Sequence, residues 1–102
     1  MISDKVYLIP QKAVAEMRMP EEAKELVWAL LRLKYGEHIA SVEYRNNLYD
    51  MSYNTKHYHE LILEMEAPVF WTEDMNNQCA NNKWEVRLVK EKCKVILVLW
   101  VT

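Results

Sequence analysis

From residue 39 the chain alternates. Ala40, Val42 and Tyr44 take turns with Ser41, Glu43 and Arg45, and Tyr49, Met51 and Tyr53 resume the two-residue period of a half-buried strand. Asn46-Asn47 stands between the two runs, where a tight turn would sit, so residues 40–53 read as a β-hairpin. Upstream the period is different. Ala23, Leu26, Val27, Leu30 and Leu31 recur at intervals of three and four, predicting a helix from Pro20 to Tyr35. Its ends agree: Glu21 and Glu22 lie near the positive pole of the dipole, Arg32 and Lys34 near the negative one, and Gly36 follows as terminator.

The remaining segments follow the same logic. Lys5 to Ile9 is a short β-prone run ended by Pro10, and Gln11 to Met19 suits a short helix that Pro20 breaks. Residues 57–66 carry two patterns at once. His59, Leu61, Leu63 and Met65 alternate with Glu60, Glu64 and Glu66, yet Tyr58, Leu61, Ile62 and Met65 also fit a helical stripe; the strand is the preferred reading. Thr72 is placed to cap a short polar helix. Trp84, Val86 and Leu88 then alternate with charges, a turn is expected near Lys90 to Lys92, and Val95 to Val101 is apolar on both faces, as in a central or doubly covered strand. Strands joined by short turns around separate helical stretches predict an α+β fold: an antiparallel sheet of about five to six strands with one or two helices packed on one face.

Composition narrows the class. A chain of 102 residues, 51% hydrophobic and 27% charged, suits one domain spanning residues 1–102 and excludes a disordered tail. Its longest apolar run, Val95 to Val101, is far short of the roughly 20 residues that cross a bilayer, and the first ten residues do not resemble a secretory leader. A soluble, cytoplasmic chain without a membrane partner is therefore expected. Cys79 and Cys93 are isolated and read as free thiols. Gly36 is the one glycine, which argues against phosphate-cradling loops and shifts the left-handed turn positions to the pairs Asn46-Asn47, Asn76-Asn77 and Asn81-Asn82. The formal charge of −2 hides an acidic middle and a basic C-terminal stretch, an ordinary complement between neighbouring strands.

Candidate chemistry is sparse. On a strand, His57 and His59 would share a face and offer two imidazoles to a metal, but no third ligand is spaced to join them. Ser3, Ser41 and Ser52 lack the glycines of a nucleophile elbow. No catalytic residue, metal or cofactor is therefore assigned, and the chain is not expected to be an enzyme.

The aromatic residues say more. Tyr44, Tyr49, Tyr53 and Tyr58 interleave with Arg45, Asn47, Asn54, Lys56 and His57, as on a sheet that stacks single-stranded nucleic acid, although the positive charge is thin. On the Pro20 to Tyr35 helix, Trp28 and Tyr35 fall outside the apolar stripe, and Phe70 and Trp71 follow Pro68 in a stretch without a regular period. Trp28, Tyr35, Phe70, Trp71, Tyr49 and Tyr53 are thus the candidate binding residues, since aromatic side chains are the usual anchors of protein contacts. The function expected is a small non-enzymatic protein-binding module, such as an inhibitor or accessory protein of a phage or other mobile element. A nucleic-acid-binding or nuclease-associated α+β domain stands second, and a metal-dependent enzyme using His57 and His59 third.

Overall fold

A computed structural model describes residues 3–7, 11–50 and 55–101, with side chains from 14–49 and 55–101. The elements in chain order are β1 (Ser3–Tyr7), α1 (Gln11–Glu16), α2 (Glu21–Leu31), β2 (Ile39–Asp50), β3 (Thr55–Met65), α3 (Glu73–Asn81), β4 (Glu85–Lys90) and β5 (Lys94–Trp100), with 3-10 turns at Gly36–His38 and Pro68–Phe70. The strands lie in the order β1-β2-β3-β5-β4 and every neighbouring pair is antiparallel, so the chain is α+β. The last strand enters between β3 and β4, an interior position beside the edge strand.

Alternation then sorts the sheet into two faces. Val42, Tyr44, Leu61, Leu63, Val95 and Leu97 are buried and belong to one core with Val14 and Met17, with Ala23, Leu26, Val27 and Leu30 of α2, and with Met75 and Cys79 of α3. Segment 57–66 is a strand because its alternate residues Leu61, Leu63 and Met65 all enter this core, which a helical stripe of the same sequence would not allow. Thr72 caps α3 as its sequence predicts: its hydroxyl accepts from the Met75 N–H at 3.4 Å.

Three expectations are corrected. Asn46 and Asn47 are not a turn but lie inside β2, opposite His59 and Tyr58, in a pairing that continues to Asp50 opposite Thr55; Met51 and Tyr53 lie outside the described residues. Extending the alternation through the asparagines satisfies more ladder bonds than turning early. Left-handed backbone among the described residues falls on Lys83, Glu91 and Lys92, not on asparagine; Glu91 and Lys92 make the β4–β5 turn, in which the Cys93 N–H returns to the Lys90 carbonyl at 3.1 Å. Gly36 does not end α2, whose last helical residue is Leu31, and its φ is not positive. It begins a separate 3-10 turn and is needed for closeness: a Cβ there would stand 2.4 Å from the carbonyl oxygens of both Leu30 and Leu31.

Candidate functional site

Apart from Trp71, the described aromatic residues of the sequence-assigned set separate into three places. Trp71 is corrected outright. It is 3% exposed within the core, and its indole N–H donates to Asn76 Oδ1 at 3.0 Å, so it is not a surface anchor. The turn after Pro68 has no period because it is 3-10 backbone, and this is what carries Trp71 inward.

Tyr35 and Phe70 come together, half-buried, with ring centroids 5.5 Å apart. His38 lies flat on Phe70 at 3.7 Å and 7°, and its Nδ1 is 2.6 Å from Glu66 Oε1. These contacts tie the turn after α2 to the turn after β3, which makes Tyr35 and Phe70 a clasp between two loops. Trp28 remains on α2, half-buried, where it lines a cavity with Glu25 and Arg32. Tyr53 lies outside the described residues.

Tyr49 leads to the third place, the sheet face turned away from the core. Cross-strand partners share a face, so the register sets out its rows. Tyr49 is opposite Lys56; Asn47, Tyr58 and Trp100 form the next row; Arg45, Glu60, Val98 and Glu85 the next; Glu43, Ile62, Ile96 and Leu88 the last before the lysines of the β4–β5 turn. Trp100 is the hub. Tyr49 meets it edge-on at 6.1 Å and 88°, Tyr58 lies tilted at 4.9 Å, and the Arg87 guanidinium sits over its ring at 5.4 Å. Tyr49 is 52% exposed and Leu88 50%, while Val98 and Ile62 beneath are shut off from solvent.

Charges of both signs surround the cluster. The Arg45 Nε donates to Glu43 at 2.9 Å, the Asn47 amide donates to Glu60 at 3.1 Å, and Arg87 lies 3.6 Å from Glu85. Edge strand β4 is interrupted between Val86 and Leu88 by a register shift and carries Arg87 and Lys90, both of which discourage another strand from adding there. The exposed side of this face therefore offers side chains more readily than backbone.

Tyr44, grouped with the other tyrosines by sequence, is not on this face. It is buried on the core side, with its hydroxyl 2.7 Å from His59 Nδ1. The direction of this bond follows the imidazole tautomer: the hydroxyl donates when the ring proton sits on Nε2 and accepts when it sits on Nδ1. Burial pushes the Tyr44 phenol up, with nearby Glu22 adding to it. For His59, burial lowers the imidazole value, and His57 lowers it further against an opposing pull from Glu22. Burial also raises the Cys79 thiol to about 12, so it is no nucleophile at neutral pH. His57 and His59 do share a strand face, and among the described residues no cluster of three metal-ligating side chains forms around them.

The His59 shift fixes a sign. A base whose folded value is depressed binds fewer protons folded than unfolded, so its stabilising contribution is complete above about pH 6.5 and disappears as pH falls through the lower folded value. Melting temperature should therefore drop between pH 7.5 and 5, and His59→Gln should make that drop shallower. Equal slopes for parent and variant would show that His59 does not contribute.

Trp100, Tyr58 and Arg87 escaped the sequence-based binding set. Trp100 closes an apolar run that reads as core, and only the pairing of β3 with β5 brings it against Tyr58. The available signal was the alternation of Lys94, Ile96, Val98 and Trp100 along β5. Compared with protein-family models, curated proteins and solved structures, the chain has no match.

No helix among the described residues is long and apolar enough to cross a membrane.

Proposed function

We propose that this chain is a non-enzymatic binding module that holds another protein against its open sheet face. The supporting observation is the Tyr49–Trp100–Tyr58 cluster with Arg87 laid over its hub. Tyr, Trp and Arg are the residue types that dominate binding energy at protein contacts, and here they sit together on strands that hold them rigidly. The surrounding charge favours a protein over a nucleic acid. Arg45, Lys56, Arg87, Lys90 and Lys94 share the face with Glu43, Glu60, Glu64 and Glu85, an interleaved pattern that complements a mixed polar rim and repels a continuous phosphate backbone. The rings also stand at 88° and 44° to one another, so they make no flat platform for successive bases.

The test begins with a photo-crosslinking residue in place of Tyr49 and capture from the native host. The captured protein is then purified and titrated against the parent and a Tyr49→Ala, Arg87→Ala variant. Loss of a desolvated anchor is expected to weaken binding about 30-fold, equivalent to about 2 kcal/mol, with the melting temperature nearly unchanged. Unchanged affinity in the variant, or saturable binding of single-stranded oligonucleotides in place of a protein, would overturn the proposal.

A further inference from the structure

Helix α2 carries a second surface that the sheet face does not use. Its buried residues Ala23, Leu26, Val27 and Leu30 define the core side. At about 100° per residue, Trp28, Arg32 and Glu25 project about 140°, 180° and 200° from Ala23, away from that side. The three line a cavity of about 270 Å³, room for several waters at roughly 30 Å³ each. Trp28 is half-buried, packed against the edge of the core as well as lining the cavity, while Glu25 and Arg32 are exposed. Among the described residues, neither Glu25 nor Arg32 has an ion-pair partner. Along the helix the order is acid, aromatic, base, with the two charges seven residues and about 10.5 Å of rise apart.

This order is self-complementary under reversal. Set two copies of α2 antiparallel across a two-fold axis, and Glu25 of each faces Arg32 of the other. The centre of the match falls between Trp28 and Ala29, so each indole meets the small Ala29 of its partner, where two helices can approach within roughly 8–10 Å. An aromatic pair at the centre with reciprocal ion pairs at the rim is the usual layout of a compact interface, and the same patch on both subunits is what two-fold symmetry requires. From this geometry we infer that α2 is a homodimer interface, with the indole of one copy filling the cavity beside the indole of the other. A different partner would have to carry the reversed charge order at the same helical spacing, which a second copy supplies by symmetry.

Sedimentation equilibrium of the full chain at moderate salt, over a wide range of concentration, tests the inference. A monomer–dimer equilibrium is expected. Glu25→Arg and Arg32→Glu should each weaken dimerisation at least tenfold through like-charge contacts, and the double variant should return to within about threefold of the parent. Trp28→Ala should abolish the dimer while circular dichroism shows the fold retained. Should a charge reversal disturb folding, Glu25→Gln and Arg32→Gln give the same ranking with smaller losses. A chain that stays monomeric throughout, a dimer indifferent to Trp28→Ala, or a double variant no better than the singles would overturn the inference. Because the sheet-face variants leave α2 intact, a failure here is separate from a failure of the protein-binding proposal.

Discussion

Trp71→Ala should lower stability by roughly 3–5 kcal/mol, the range for emptying a buried aromatic site. Two losses combine. The side chain is 3% exposed within a core that draws on α1, α2, α3 and the inner sheet face, so its removal leaves a cavity bordered by several elements. Its indole N–H also donates to Asn76 Oδ1 at 3.0 Å, a bond that holds the first turn of α3 against the segment entering it. Thermal or urea unfolding of the purified variant reads both at once. Trp71→Phe separates them, retaining most of the packing and losing the bond, and should fall between parent and Ala variant. A Trp71→Ala protein with parental stability would contradict the burial described above. For a domain of this length, typical total stability is about 5–15 kcal/mol, so this single change removes a large share of it.

The same residue shows where the sequence stops being informative. Its neighbours Val69 and Phe70 are 71% exposed and half-buried, and nothing in the order Pro-Val-Phe-Trp says which ring turns inward. That choice is made by the 3-10 turn and by the space left between α3 and the sheet. By contrast, segments with a sustained period were legible: the α2 stripe, the alternation of residues 40–45 and of β3, and the Thr72 cap all match their local chemistry. The asparagine pairs misled because turn propensity is a local preference, and in Asn46-Asn47 the ladder with Tyr58 and His59 outweighs it. Tyr49 was recognisable as a surface aromatic on a strand. Its partner Trp100 was not, since the two meet only after β5 has inserted beside β3, a pairing that skips over α3 and β4.

Gly36→Ala should be among the most damaging changes available on so small a side chain, costing about 3 kcal/mol in the manner of an overpacked core. The cause is not a left-handed backbone, since no described glycine has positive φ. It is proximity. A methyl group at this position would lie 2.4 Å from the Leu30 and Leu31 carbonyl oxygens and 2.6 Å from the Leu31 carbonyl carbon, all backbone atoms that cannot swing aside as a side chain would. Relief requires the end of α2 to separate from the turn that follows it. That turn is held by the Gly36 N–H on the Leu33 carbonyl at 3.0 Å and leads directly into His38, whose ring stacks on Phe70 and reaches Glu66. Displacement at residue 36 therefore propagates to the clasp between the two loops. Unfolding of Gly36→Ala is expected at markedly lower denaturant, with the His38 ring signals shifted in the folded state. Gly36→Ser should behave at least as badly, because its Cβ meets the same oxygens. A Gly36→Ala chain as stable as the parent would show that the end of α2 relaxes at little cost, and would remove the close approach as the reason for glycine here.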